Sequence, residues 1–161
     1  MDVGATAALV ARVDLAAAFA LSASSKISHR AEFARGLEDF GVPRSPVVAR
    51  ALPPVEAGLA GLLVAVRGPA WPAFLAIAVL AVFTAAVVAN LTGGRPAPCP
   101  CFGPPAAGAR PVSAATVARN GALVALAVLG TGSTAGASAA ATLAAVAVTV
   151  PATLAALRRT G

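Results

Sequence analysis

Five long apolar segments, separated by Gly, Pro or charged residues, set what this chain of 161 residues can fold into. About 20 apolar residues cross the hydrocarbon core of a bilayer as one helix. No water is present there to satisfy backbone groups, so a spanning segment closes its hydrogen bonds within itself. The segments lie at about 3–25, 47–66, 73–91, 113–130 and 137–157. They predict an all-α polytopic membrane bundle of four to five transmembrane helices, forming one domain over 1–161. Composition agrees: 58% of residues are hydrophobic and 11% charged, against about a quarter charged in soluble domains. The first segment carries Arg12 and Asp14 and lacks a basic start, which predicts a retained span and not a cleaved leader. In the second, Pro53 and Pro54 interrupt the run. The thirteen residues from Pro54 to Val66 would reach only about 20 Å, so residues 47–52 must continue the span across a kink. The third holds no charge.

The polar stretch after the first segment has its own pattern. Phe33, Leu37 and Phe40 recur at four and three residues, one face of a helix, while Arg30, Arg35, Glu38 and Asp39 fall elsewhere. A short amphipathic helix over 31–40, lying on the membrane surface or capping the bundle and ended by Gly41 and Pro43, is expected. The competing expectation is a solvated connector. A formal charge of +6 does not imply nucleic acid: aromatics make up 4%, Tyr is absent, and the basic residues sit at segment ends and in loops. There they meet lipid headgroups and set orientation.

Arg12, Asp14, Glu56, Arg119 and Asn120 lie within or near spans. A charge at mid-bilayer costs at least about 2.5–3.5 kcal/mol, so these groups are expected to meet inside the bundle. Arg12 and Asp14, two apart, do not share a helical face. Glu56 is the only carboxylate of its span and requires a basic partner from Arg12, Lys26 or Arg119. Two readings follow. Either the pairs fix helix register alone, or Arg12, Lys26, Glu56, Arg119 and Asn120 surround a polar pocket near the thiols.

Those thiols are the chain's only cysteines, in Cys99-Pro100-Cys101-Phe102-Gly103, within a loop that also holds Pro96, Pro98, Pro104, Pro105 and Pro111. A disulfide needs Cα atoms roughly 4.4–6.8 Å apart, which residues i and i+2 reach when the chain bends. Pro100 fixes one φ angle there. Such a bond is strained, and strained disulfides exchange readily. Three alternatives stand beside a redox pair: Cu(I) held by two thiolates, a bridge between protomers, or inert thiols. Zinc is disfavoured by the ligand count, with His29 in a different segment. No metal or cofactor is expected.

In order along the chain, Ser25-Lys26, then Phe33, Leu37 and Phe40-Gly41-Val42, then Leu52-Pro53 with Glu56 and Gly58, then Cys99-Pro100-Cys101-Phe102-Gly103, then Arg119-Asn120 resemble the MauE family of methylamine-utilisation membrane proteins. That family is related to the DoxX-like membrane proteins of four to five helices. The family's usual residue between the cysteines is glycine, where Pro100 stands here. The resemblance implies a bacterial inner-membrane protein that supports disulfide formation in an exported client such as an amine dehydrogenase subunit. It also implies a thioredoxin-like, membrane-anchored partner, with Cys99 and Cys101 as the exchanging pair. A Cu(I)-handling protein and a structural membrane subunit are the other classes carried forward.

With five spans, the loop after the first, the cysteine loop and the C-terminus share one side, which collects Lys26, Arg30, Arg35, Arg44, Arg50, Arg95, Arg110, Arg158 and Arg159. The other side has Arg67. The positive-inside rule assigns the cationic side to the cytoplasm. Disulfide chemistry on an exported client favours the oxidising exterior. Charge is taken here as the stronger guide.

Overall fold

Helix α1 (Val3–Ser28) is the axis around which the rest of the chain packs. It is followed by α2 (Arg30–Asp39), α3 (Ser45–Ala65), α4 (Trp71–Thr92), α5 (Ala114–Leu129) and α6 (Ala139–Thr160). The structure, a computed structural model, describes residues 2–93 and 113–160. It is an all-α polytopic bundle, with no strand among the described residues. Four helices are long and apolar enough to cross a membrane, and α5, at 16 residues, is shorter. Helices α3, α5 and α6 lie against α1, α4 lies against α5 and α3, and α2 leans on α3 and α1.

Local chemistry explains the helix limits. Asp2 starts α1 by accepting the Ala5 N–H at 3.1 Å. Pro sits in the first turn of α3 and of α4, where its missing N–H costs nothing. At the head of α5 the Thr116 hydroxyl accepts the Ser113 N–H at 3.4 Å. Helix α3 continues from Ser45 to Ala65 through Pro53 and Pro54. The 47–52 lead-in is therefore helical, as the length of a membrane crossing demands. Helix α2 forms over the stretch where the Phe33, Leu37, Phe40 period places it, with Phe33 turned inward.

The core joins Leu15 and Phe19 of α1, Leu59 and Leu63 of α3, Leu80 of α4 and Leu123 of α5. Between them, alanines at 16, 18, 60, 76 and 127 let helices approach closely. In lipid the hydrocarbon outside is as apolar as the core, so tight packing holds the helices together. Val47, Val55, Phe74, Leu75, Val82, Leu143 and Val148 accordingly face outward.

Arg44, which precedes α3, has φ 56°, ψ 39°, a left-handed conformation unusual for a side chain with a Cβ. Its strain costs about 1–2 kcal/mol, and glycine would remove it while adding about 0.5–1 kcal/mol of chain entropy. Arg44→Gly is expected to leave thermal stability unchanged or slightly raised. Arg44→Val is expected to lower it measurably in the same melting experiment.

Candidate functional site

Near the C-terminal end of α1, Ser22 and Lys26 are one helical turn apart and point toward Glu56 of α3. The Lys26 ammonium donates to Glu56 Oε1 at 2.7 Å and Oε2 at 2.8 Å. It also donates to Ser22 Oγ at 2.5 Å. The Ser22 hydroxyl in turn donates to Glu56 Oε1 at 3.2 Å. Lys26 is 2% exposed and Glu56 0%, so the pair is fully withdrawn from solvent. Burying two ions is costly, and only close geometry with satisfied donors compensates. Both conditions are met here.

Aromatic rings complete the surroundings of the cation. The Lys26 ammonium lies 5.4 Å from the centre of the Phe33 ring and 5.5 Å from that of Phe83. At this distance a cation is attracted to the ring face. Phe33 comes from α2 and Phe83 from α4, so the single ammonium ties four helices together.

Asn120 of α5 is buried beside this group, and its amide donates to Thr84 Oγ1 of α4 at 3.3 Å. A cavity of about 10 Å³ is lined by Ser22, Glu56, Phe83 and Asn120, with apolar residues around them. Half-buried Arg119 also belongs to this region, and its positive charge opposes that of Lys26.

Arg12 stands apart. It lies fourteen residues before Lys26 on α1, about 21 Å along the axis. The structure corrects the expectation that it joins the pocket. Its guanidinium donates to the carbonyls of Gly130 at 2.7 Å, Val66 at 3.0 Å, Pro69 at 2.8 Å and Gly132 at 3.4 Å. These carbonyls belong to the ends of α3 and α5 and to the turns that follow them, so the planar fork closes the opposite end of the bundle. A nearby bond from the Gly68 N–H to Thr134 Oγ1, 2.7 Å, joins the same two turns. Gly130 and Gly132 permit this approach, since a Cβ would come within 3.2 Å of Arg12 Cγ or of the Ala8 methyl. Asp14 is buried where α1 meets α6, and its Oδ1 accepts no hydrogen bond among the described residues.

Ser22, Phe83 and Thr84 escaped the reading of sequence. Ser22 had a usable signal, its four-residue spacing to Lys26. Phe83 had none, being one apolar residue among many in α4. Cys99, Pro100, Cys101, Phe102 and Gly103 lie outside the described residues. Among the described residues no group of three His, Cys, Asp or Glu side chains is arranged to hold a metal.

Residues 4–133 match the family model described as methylamine utilisation protein MauE. The chain belongs to the MauE family. The match runs from the start of α1 to the turn after α5 and includes the cysteine pair; α6 follows it. No curated protein matches the chain, and no solved structure does. With four apolar helices of spanning length, this MauE-family chain is a multi-pass membrane protein.

Proposed function

We propose that this MauE-family protein is a thiol–disulfide maturation factor of the bacterial plasma membrane. Cys99 and Cys101 exchange with a thioredoxin-like, membrane-anchored partner. That partner serves an exported disulfide-containing client, an amine dehydrogenase subunit in methylamine use. The observation that carries this reading is the buried Lys26–Glu56–Ser22 cluster toward the end of the bundle where α4 ends and α5 begins. Helices α4 and α5 supply Phe83, Thr84 and Asn120 to the cluster or its border. From Thr84 to Gly93 is nine residues, about 13 Å of helix, and from Asn120 back to Ser113 about 10 Å. Arg95 and Arg110 flank the cysteine pair in sequence, and positive charge near a thiol favours the thiolate, which is the form that exchanges.

The exchange balances without further reactants. A partner thiolate attacks the Cys99–Cys101 disulfide, a new intermolecular S–S bond forms, and one cysteine leaves as thiolate and takes a proton. The partner's second thiolate then displaces the other cysteine. The partner gains a disulfide, and this chain is left as the dithiol.

Single variants Cys99→Ser and Cys101→Ser cannot form the disulfide and are expected to support no exchange, whereas a partner lacking its second thiol is expected to stay trapped in a mixed disulfide with the wild-type chain. The double variant is expected to leave the client unoxidised. Mass-shift thiol labelling in cells reads both outcomes. Full reduction of both thiols under all conditions, with normal client maturation by the double variant, would overturn the proposal. Protection of the thiols by Cu(I), reversed by a chelator, would assign them to metal handling. A membrane-impermeant reagent applied from outside tests sidedness: exchange with the partner of an exported client requires labelling without permeabilisation, and labelling only after it, on the side that the charge distribution predicts, would remove the exported client from the proposal.

A further inference from the structure

The carboxyl of Asp14 takes no part in the Lys26–Glu56–Ser22 cluster or in the Arg12 closure. Eleven residues of α1 precede it and fourteen follow, so it stands near the middle of a spanning helix. It is 3% exposed, and its Oδ1 accepts no hydrogen bond among the described residues. Helix α6 covers it. The Ser138 N–H, just ahead of α6, donates to Thr6 Oγ1 of α1 at 3.3 Å. Eight residues on from Thr6 is Asp14 and eleven on from Ser138 is Thr149, heights of about 12 and 16 Å, within one turn of each other. Thr149 is the polar side chain that acts on the carboxyl, and its own buried Oγ1 also lacks a hydrogen-bond partner. Two orphaned oxygens, one on each helix, thus meet in the interior.

No described basic group balances this carboxyl. Arg12, two residues back, gives its guanidinium to the carbonyls of the turns. Lys26 lies twelve residues on, about 18 Å, with Glu56 of α3 upon it and Arg119 of α5 in the same region. Arg50 of α3 is exposed, six residues before Glu56 and further from Asp14 still. In α6 no charged residue precedes Arg158, nine residues past Thr149. A carboxylate placed so would lose its hydration with nothing in exchange, and such a group takes up a cation instead. A hard metal cation requires about six oxygens, whereas a proton is satisfied by two.

We infer that Asp14 is a proton-binding site inside the membrane, and that the bound proton fastens α6 to α1. A proton on Oδ1 serves both orphaned oxygens at once, since the resulting O–H donates to Thr149 Oγ1. The fastening matters because α6 turns most of its surface outward and little else polar holds it along its length. The site joins a helix of the matched family region to the one helix that follows that region, and it does not depend on the thiols.

The test treats the full chain in lipid nanodiscs with dicyclohexylcarbodiimide, a lipid-soluble reagent for protonated acids. The acid proton passes to one carbodiimide nitrogen and the carboxyl oxygen bonds to the central carbon. The acyl group then migrates to the other nitrogen, leaving a stable N-acylurea that mass spectrometry locates. At neutral pH an adduct is expected on Asp14 and not on Glu56, whose charge Lys26 holds, and it should be lost as the pH is raised. A water-soluble carbodiimide should leave Asp14 unmodified. Asp14→Asn is expected to abolish the adduct and keep the wild-type melting temperature, because the amide is uncharged and also donates to Thr149. Asp14→Val and Thr149→Val should each lower that temperature. The infrared C=O band of a buried carboxylic acid, present in the wild-type chain at neutral pH, should vanish in Asp14→Asn. Absence of both adduct and acid band from the wild-type chain would overturn the site, as would a large loss of stability in Asp14→Asn. Protection from the reagent by sodium at constant pH, not reproduced by choline, would overturn the proton as ligand and put a metal cation in its place.

Discussion

Glu56→Ala is expected to be among the most damaging single substitutions in this chain. It leaves the Lys26 ammonium, 2% exposed, without its carboxylate inside a membrane bundle. Removing one partner of a buried ion pair costs about 3–5 kcal/mol, two or more orders of magnitude in the folded fraction. Folded yield in detergent and the melting temperature should both fall sharply, and further than for Asp2→Ala, which removes the cap of α1 at a cost of about 1 kcal/mol. The double variant Lys26→Met/Glu56→Leu is expected to recover most of the loss, because apolar residues of similar volume replace buried pairs without penalty. That double variant also separates stability from function. A chain that folds and still matures its client would make the pair a helix fastener alone. A chain that folds and no longer does so would place the charges in the chemistry.

Arg12→Met is expected to have the second largest effect, at the other end of the molecule. It removes the donors serving the carbonyls of Gly130, Val66, Pro69 and Gly132. Hydrogen bonds from a charged donor contribute about 1.5–3 kcal/mol each. Water reaching the turns would replace some of them, so a net loss of about 3 kcal/mol is expected. Arg12→Lys should restore only part, since a compact ammonium has three donors and cannot span both turns as the guanidinium fork does. Thermal unfolding measures the size of the loss. Limited proteolysis should show new cleavage between Gly130 and Gly136, while the Lys26 end stays protected.

The contrast between Arg12 and Lys26 shows where reading from sequence stopped. Both are basic residues on α1, and hydropathy gives no means of telling which meets Glu56. Height in the bundle decides it. The up-and-down path of α1 and α3 brings Lys26, near the end of one helix, level with Glu56 in the middle of the other. Arg12 is level with the turns instead, where the last carbonyls of helices lack intrahelical donors. A basic residue there needs no carboxylate.

Helix α2 is the opposite case. Its existence and inward face followed from the spacing of Phe33, Leu37 and Phe40, because helical period is a property of neighbouring residues. Only the packed chain showed that Phe33 lies beside the Lys26 ammonium and that Phe83 of α4 faces it from another helix.

The membrane class, the helical segments and the family resemblance were all legible along the chain, since each depends on composition, local period or motif order. Partner choice was not. Lys26 and Glu56 are 30 residues apart, and Arg12 and Gly130 are 118 apart. Contacts at such separations are set by how helices cross and how closely alanine and glycine let them approach, and the bundle had to assemble before either cation had its partners.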